Sequence, residues 1–341
     1  MYSFRNDYSE LVHKDILDLM IKSASEQNLG YGLDKHCELA RKYIKKHLGQ
    51  DLNVEIHFLV GGTSCNKIVI AHSLKPYEAV ISVESGHINV HESGAIEANG
   101  HKVLTVPGKE GKITPEEINF VYKSHKDEHM VVPRMVYISN STEIGTIYRK
   151  CELEAISETC KKLGLLLFID GARLGVALKS EENDLSLSDI ARYSDVFYIG
   201  GTKNGAMIGE ALVIVNDNLK TRFRNTLKQN GGMLAKGYLV GIQFEALFQN
   251  DLFFRLAAQA NKMANILKMG LKDLKVKLAY DSPTNQQFIT LSRILVEKLR
   301  KSYDFEIWEE HDDNTTIRLV TSWATNEEAI YRFLEDLKKL L

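Results

Sequence analysis

The sequence lacks the features that mark disulfide-rich, membrane-spanning or nucleic-acid-binding proteins. Its 341 residues include four cysteines and no CxxC pair, which argues against a disulfide framework or a zinc ribbon. The 43 lysines and arginines are dispersed among 45 aspartates and glutamates, so no basic patch for nucleic acid or anionic lipid is expected. No run of about 18 apolar residues could span a bilayer, and the polar start predicts no signal peptide. We therefore expect a cytoplasmic protein without nucleic-acid or membrane partners.

The apolar residues, 44% of the chain, are enough for a sizeable core and about two domains. Between about residues 54 and 215, β-rich runs alternate with helical stretches, which is typical of a mostly parallel sheet covered on both faces. Gly164 and two preceding lysines mark the end of the clearest connecting helix, 151–164. The strand candidates are VEIHFLV, YEAVISV, KVLTV, RMVYIS, LLLFID, DVFYIG and ALVIV.

After about residue 216 the pattern changes to long helical segments, roughly 217–229 and 238–272. Four more strand candidates follow, KVKLAY, QQFITLS, DFEIWEE and TIRLVTS, with a helix between the second and third. In the closing helix TNEEAIYRFLEDLKKLL, Thr325 and Glu328 predict a capping box. The predicted division is an N-terminal arm over 1–14, a large domain over 15–240 and a small α/β domain over 241–341.

Lys203 is the first candidate for chemistry. It lies on a turn between two apolar strands in FYIGGTKNGAMIGEALVIV, residues 197–215, at the sheet edge where open α/β folds bind ligands. A lysine held among buried strands has a lowered amine pKa and can form a Schiff base. The alternative is a solvated loop lysine, as most lysines are. Cofactor-binding groups elsewhere in the chain would favour the first interpretation.

Two other segments could complete a cofactor site. FIDGAR places Asp170 at the end of a buried strand, where it could hold the pyridine nitrogen of pyridoxal phosphate or merely cap the next helix. In VGGTSCN, Gly61 and Gly62 allow close backbone approach. Thr63 and Ser64 add hydroxyl and N–H groups at a helix N-terminus, as a phosphate cradle needs. The segment matches neither the Walker motif nor GxGxxG.

The segment ESGHINVHESGAIE, residues 84–97, contains His87, His91 and Glu92 after a strand. A histidine ring can lie flat over a cofactor ring, and a histidine or a glutamate could act as a base. The same residues could equally form a polar helix start. Because HINVH lacks the glutamate of HExxH, no metal site is predicted.

Five motifs in order, GGTSCN, HINVHESGA, STEIGTIY, FIDGARL and GGTKNGA, resemble those of the low-specificity L-threonine aldolases. These are pyridoxal-phosphate enzymes of fold type I, related to β-eliminating lyases. The resemblance runs from FRNDYS and GYGLD to TIRLVTSWATNEE, effectively the whole chain. It implies an aspartate aminotransferase-like large domain with a mostly parallel seven-stranded sheet and a small C-terminal α/β domain. It also implies a homodimer or homotetramer with active sites built across subunits.

The resemblance implies a role for each candidate residue. Lys203 would be the Schiff-base lysine, Asp170 the partner of the pyridine nitrogen, and His87 the ring stacked on the cofactor. A guanidinium fork suits a carboxylate, so Arg173 and Arg318 would grip the substrate, with Arg173 also part of the cofactor site. The resemblance also implies contacts to the cofactor phosphate from Gly62, Thr63, Thr202 and a neighbouring subunit's Lys236. It implies contacts to the substrate from Asn6 and a neighbouring subunit's Tyr31.

Two departures from the family pattern concern the substrate. FRND has Asn6 where many members have a serine, so an amide would have to donate the hydrogen bond. STEIG, with Glu143, replaces the histidine-containing ENTHN motif of many members, as in one branch of the family. The base at the substrate β-hydroxyl therefore stays open between His87, His91, Glu92 and a water near the phosphate, with His87 or a water it positions favoured.

The implied reaction is retro-aldol cleavage of L-threonine, L-allo-threonine or a related β-hydroxy-α-amino acid into glycine and an aldehyde. The alternative is another pyridoxal-phosphate reaction on a small amino acid, such as β-elimination, transamination or racemisation, which would use the same Lys203 and Asp170. The missing glycine fingerprint disfavours a dehydrogenase. A non-catalytic binding protein is disfavoured because nearly all the expected chemical groups are present.

Overall fold

Strands and helices alternate along most of the chain in the computed structural model, which describes residues 1–49 and 51–341. The strands are β1 (Tyr2–Ser3), β2 (Glu55–Leu59), β3 (Glu78–Val83), β4 (Val103–Val106), β5 (Val132–Ser139), β6 (Leu166–Asp170), β7 (Val196–Gly200), β8 (Glu210–Ile214), β9 (Lys277–Tyr280), β10 (Gln286–Ser292), β11 (Tyr303–Asp304), β12 (Glu306–Glu310) and β13 (Asn314–Val320). The α-helices are α1 (Lys14–Lys22), α2 (Lys35–Leu48), α3 (Gly62–Ser73), α4 (His87–Val90), α5 (Pro115–Ser124), α6 (Lys150–Leu163), α7 (Leu174–Leu178), α8 (Leu187–Tyr193), α9 (Phe223–Gln229), α10 (Tyr238–Gln249), α11 (Leu252–Asp273), α12 (Arg293–Leu299) and α13 (Glu327–Leu340).

The main sheet has seven strands within the described residues, in the order β2-β8-β7-β6-β5-β3-β4. Strand β8 is antiparallel to both of its neighbours, and the other strands pair in parallel. Every residue of β3, β6, β7 and β8 is buried, as expected for strands covered on both faces. Each of the seven predicted strand segments corresponds to one of these strands. The predicted fold class is therefore confirmed.

A second, antiparallel sheet in the order β12-β13-β10-β9 lies in the C-terminal part of the chain. The N-terminal arm packs beside this sheet: β1 and β11 form a separate two-stranded parallel sheet, and the buried Phe4 ring lies in the same core as Ile317 and Phe333. Helix α11 contributes to both cores, with Phe253 in the main core and Leu267 in the second. The predicted division at 14 and 240 stays a prediction.

Two of the predicted helical segments are interrupted. Helix α10 ends at Gln249 and α11 begins at Leu252, because Asp251 adopts a left-handed backbone with φ of 55°. Similarly, 217–229 contains a short 3-10 helix and then α9, with Arg222 at φ of 57° before it. A left-handed residue interrupts the repeat of helical hydrogen bonds. Because Asp251 and Arg222 are not glycines, the sequence does not predict these interruptions.

The predicted capping box of the closing helix is wrong by one residue. Asn326 is the N-cap of α13, and its side-chain oxygen accepts a hydrogen bond from Ala329 N at 2.9 Å. The Thr325 hydroxyl instead accepts from Ser322 N in the preceding turn. Asparagine and threonine are both good N-caps, so the competing turn decides between the two neighbours.

The carboxyl edge of the main sheet brings the chemical candidates together. Strands β6 and β7 end in close contact, since Gly200 N donates to Gly171 O at 2.9 Å. A Cβ atom on Gly171 would lie only 1.7 Å from the Tyr198 carbonyl oxygen, so no larger residue fits there. Asp170, the last residue of β6, and the turn with Lys203 after β7 therefore belong to neighbouring strand ends. No helix within residues 1–49 and 51–341 is long and apolar enough to cross a membrane.

Candidate active site

A cavity of about 330 Å³ lies where the parallel strands end. His87 follows β3, Glu143 follows β5, Arg173 follows β6 and Lys203 follows β7, so four strand ends converge on it. Such an edge is the usual ligand site of open α/β sheets. Five predicted site residues line this cavity: Asn6, His87, Arg173, Lys203 and Arg318. The other lining residues are Arg5, Tyr8, His91, Glu143 and Glu306.

Lys203 is partly buried on the turn after β7. Burial lowers the pKa of its amine, and the nearby Arg173 charge lowers it further. Its Nζ atom lies 6.0 Å from the centre of the Tyr8 ring, which the N-terminal arm supplies. A lysine with a lowered pKa is a better nucleophile toward a carbonyl group at neutral pH.

Asp170 is buried behind the cavity and is surrounded by donors. Its Oδ2 accepts from Asn66 Nδ2 at 3.0 Å and from the Tyr137 hydroxyl, and its Oδ1 accepts from Ala172 N at 2.9 Å and from the Tyr198 hydroxyl. Burial alone would raise the pKa of Asp170, but the His87 charge and these donors outweigh burial, so the pKa is lowered. The structure therefore favours an ionised carboxylate at this position.

His87 and Glu92 form a pair at the side of the cavity. His87 Nδ1 lies 2.8 Å from Glu92 Oε1, and the Glu92 side chain has no exposed surface. Because Glu92 is buried and already bonded to His87, its position disfavours it as the base, and the identity of the base stays a prediction. His91 is exposed, and its ring centre lies 5.5 Å from that of His87.

Two of the three arginines that line the cavity, Arg173 and Arg318, are held by carboxylates that the sequence did not reveal. Arg173 donates from Nε and Nη2 to the two oxygens of the buried Asp7, at 2.7 and 3.1 Å. Arg318 donates to Glu306 and, at 3.2 Å, to Gln286. No spacing signal could have predicted the Asp7–Arg173 pair, because the two residues lie 166 residues apart. Glu306 and Arg318 lie opposite each other on the neighbouring strands β12 and β13. The FRND segment supplies Arg5 and Asn6 to the cavity lining and Asp7 to Arg173, and of these three residues only Asn6 was predicted.

The predicted phosphate contacts Gly62, Thr63 and Thr202 follow the ends of β2 and β7 and are not among the residues that line this cavity. Helix α3 begins at Gly62 after Gly61, and its N-terminus has no side-chain cap. A Cβ atom on Gly62 would lie 2.7 Å from the Tyr198 hydroxyl, so the helix start lies next to the Asp170 cluster. Thr63 is exposed, whereas the Thr202 hydroxyl already accepts from Gly209 N at 3.0 Å.

Tyr31 and Lys236 are not among the residues that line the cavity. Tyr31 N donates to the carbonyl of Ala235, the residue before Lys236, at 3.0 Å, so the two residues are neighbours. The Tyr31 ring lies 4.9 Å from Lys228 Nζ. Both Tyr31 and Lys236 are exposed, as residues offered to a neighbouring subunit would be.

Comparison with known proteins identifies the family. A family model described as beta-eliminating lyase matches residues 11–293. The chain belongs to this family. The family predicted from the five motifs is thereby confirmed.

The similarity to individual proteins covers nearly the whole chain. The chain is 33% identical to the low specificity L-threonine aldolase of Pseudomonas aeruginosa over 321 residues. The aligned region covers 91% of this chain and 90% of that protein. The structure of a Leishmania major threonine aldolase is 50% identical, with a TM-score of 0.98, and covers 100% of this chain and 99% of that one. Aspartate aminotransferase of Thermus thermophilus, 15% identical, shares the fold with a TM-score of 0.74 over 100% and 92% of the two chains.

Proposed function

We propose that the protein is a pyridoxal-phosphate-dependent aldolase that cleaves L-threonine and L-allo-threonine into glycine and acetaldehyde. Threonine aldolases that match almost the whole chain support this proposal. The observation that carries it is the cavity itself, where a lysine with a lowered pKa shares the lining with Arg173, Arg318 and His87. Such a set can hold a carbonyl cofactor, grip an amino acid and move a proton.

The residues around the cavity fit pyridoxal phosphate. Lys203 would hold its aldehyde carbon, and the buried ionised Asp170 would face its protonated ring nitrogen. Gly62 and Thr63, at the uncapped start of α3, and Thr202 would contact its phosphate, because free N–H groups at a helix N-terminus favour anions. When bound, the cofactor supplies an electron sink for the pair released from the Cα–Cβ bond.

The substrate carboxylate is proposed to lie between Arg173 and Arg318. Arg173 keeps Nη1 free of its bond to Asp7, and Arg318 Nε is buried without a hydrogen-bond partner among the described residues. A buried donor without a partner is costly, so an incoming carboxylate would relieve that cost. Asn6 lines the same cavity and would add its amide as a donor. This grip orients the Cα–Cβ bond for cleavage.

His87, or a water that it positions, is proposed to take the proton of the β-hydroxyl. The ring lines the cavity, and its Nδ1 atom is engaged by Glu92, which leaves Nε2 for the substrate side. His91 and Glu143 also line the cavity and would contact the substrate side chain. Proton removal at this oxygen lets the carbonyl of the departing aldehyde form.

A homo-oligomer, either a dimer or a tetramer, is also proposed. Tyr31 and Lys236 do not line the cavity of their own chain, so a neighbouring subunit would have to bring them to a site. Leu11, Ile21 and Leu29 are well exposed in the same N-terminal region. Exposed apolar side chains of this size would be covered by a contact between chains. A cytoplasmic location stays a prediction.

The reaction products test the proposed function. Purified protein with pyridoxal phosphate is incubated separately with L-threonine, L-allo-threonine and L-serine, and glycine, acetaldehyde and pyruvate are measured. We expect equal amounts of glycine and acetaldehyde from at least one threonine diastereomer. Pyruvate with ammonia as the main product would instead identify β-elimination. Neither product from any of the three substrates would refute the proposal.

A further inference from the structure

A chain of hydrogen bonds joins His87 to Asp170 behind the cavity. His87 Nδ1 lies 2.8 Å from Glu92 Oε1, and Asn66 Nδ2 donates to the same oxygen at 2.7 Å. Asn66 Nδ2 also donates to Asp170 Oδ2 at 3.0 Å. Only the nitrogen of an amide can donate to two carboxylates, so its neighbours fix the orientation of the Asn66 side chain.

Glu92 and Asn66 are buried polar groups outside the cavity lining. The side chain of Glu92 and the whole of Asn66 have no exposed surface. Among the described residues, Glu92 Oε2 and Asn66 Oδ1 have no hydrogen-bond partner. Burial of a carboxylate with one oxygen unpaired costs free energy. The arrangement therefore points to a role other than stability.

Glu92 determines which nitrogen of His87 carries the proton. An ionised carboxylate only accepts hydrogen bonds, so His87 donates to it from Nδ1. A neutral imidazole has one donor and one acceptor nitrogen, which leaves Nε2 as the acceptor. His87 lines the cavity, where this acceptor can receive a proton.

We propose that Glu92 is a positioning residue, which together with Asn66 holds His87 in the Nδ1-protonated tautomer and fixes its ring relative to Asp170. The inference rests on the proposed function, in which His87 acts on the β-hydroxyl proton. Glu92 acts through His87 and does not touch the substrate. The buried aspartate of a Ser-His-Asp triad acts on its histidine in the same way.

Charged groups from several elements influence His87. Burial alone would lower the pKa of His87, but the hydrogen bond to Glu92 and the neighbouring carboxylate charges together outweigh burial, so the pKa is raised. The Glu143 and Asp170 charges also raise it, whereas the Lys203 charge lowers it. The His91 ring is a further neighbour, at 5.5 Å between ring centres. Removal of the Glu92 charge is therefore expected to lower the pKa of His87.

The test compares Glu92→Gln with Glu97→Gln. The first substitution keeps the size of the side chain and removes its charge, and the second makes the same change at an exposed glutamate five residues later. NMR of ¹⁵N-histidine-labelled protein reports the tautomer and the pKa of His87, assigned with His87→Asn. Steady-state kinetics with L-threonine over a range of pH gives kcat and KM for the same variants.

In Glu92→Gln we expect His87 to lose its preference for the Nδ1-protonated tautomer and to titrate at lower pH than in the wild type. We expect kcat to fall about ten- to a hundred-fold, as for other outer partners of functional histidines. KM should stay within about twofold, because the arginine grip on the carboxylate is unchanged. The acid limb of the kcat profile should move to lower pH. Glu97→Gln should match the wild type throughout.

An unchanged tautomer and pKa of His87 in Glu92→Gln would overturn the proposal, and so would a kcat equal to that of Glu97→Gln. If Glu92→Gln does not fold, Glu92→Asp replaces it, since it keeps the charge but shortens the reach to His87. A reduced kcat together with a loss of the Nδ1-protonated tautomer of His87 then supports the proposal, and a wild-type kcat refutes it. The NMR result does not require turnover, so a protein inactive on threonine refutes the proposed function and leaves the positioning test intact.

Discussion

At the scale of single residues, the buried carboxylate of Asp7 holds the cavity residue Arg173 in place. Asp7 has almost no exposed surface and accepts two hydrogen bonds from Arg173 and one, at 2.9 Å, from Asn285. Two parallel hydrogen bonds fix the plane of a guanidinium group. Asp7 thereby orients the arginine that is proposed to grip the substrate, although Asp7 itself does not line the cavity.

Asp7→Asn is expected to destabilise the protein and to weaken substrate binding. The substitution leaves the buried Arg173 without a counter-charge, and removal of one partner of a buried ion pair costs about 3–5 kcal/mol of unfolding free energy. Urea denaturation measures this cost, and KM for L-threonine should rise. Asp18→Asn, in an exposed pair with Lys14, is the control and should cost less than about 1 kcal/mol. Equal effects of the two substitutions would contradict the role assigned to Asp7.

The site residues that were predicted belong to local sequence motifs, whereas most of those that were missed are defined by contacts with other parts of the chain. Lys203, Asp170 and His87 belong to local motifs that follow strands, so their positions at the strand ends could be predicted. Asp7 and Asn66 contact partners 166 and 104 residues away along the chain, and no local pattern records such contacts. Glu306 meets Arg318 only through the register of β12 against β13. Glu92 was recognised as a possible base, but only the structure shows that its side chain is buried beside His87.

At the scale of secondary-structure elements, a histidine joins two helices and the segment before them. His36 in α2 bonds through Nδ1 to Glu245 of α10, at 2.6 Å, and through Nε2 to Glu26, at 2.7 Å. Burial alone would lower the pKa of His36, but the two carboxylates outweigh burial, so the pKa is raised. The charged imidazole therefore stabilises the packing of the helices when it is protonated.

The contacts of His36 with Glu245 and Glu26 predict a pH-dependent contribution to stability. Because the folded-state pKa of His36 is raised, the contribution is complete below the unfolded pKa of about 6.5 and is lost as the pH rises through the folded value. Relative to His36→Gln, the wild type should be about 1–3 kcal/mol more stable at low pH, the range for hydrogen bonds to charged groups. Urea midpoints between pH 5.5 and 9 measure the difference. His129→Gln, at an exposed position, should show none of this dependence, and an advantage that grows with pH would refute this role of His36.

Element boundaries show why some of the fold could not be predicted. The strand LLLFID was located because a continuous apolar run ends at a charged residue, and β6 spans Leu166–Asp170. The break between α10 and α11 was missed because Asp251 is left-handed without being glycine. At the start of α13, the choice between Thr325 and Asn326 depends on the preceding turn, which sequence periodicity does not describe.

At the scale of the whole molecule, the two cores are joined by elements that belong to both. The N-terminal arm places Phe4 in the second core and Asp7 against the main sheet, and α11 runs from one core into the other. Arg318 reaches the cavity from β13 of the second sheet, whereas Lys203 reaches it from the main sheet. The sequence predicted the two sheets separately. The assembly of one cavity from both depends on long-range packing.

The central claim, that Lys203 carries the cofactor, is tested most directly by chemical mapping. The protein is loaded with pyridoxal phosphate and reduced with borohydride, which makes the link between the cofactor and its lysine permanent, and its peptides are then analysed by mass spectrometry. The account predicts a phosphopyridoxyl group on the peptide with Lys203 and none at that position in Lys203→Ala. Stoichiometric modification of a different lysine, or no modification at all, would contradict it.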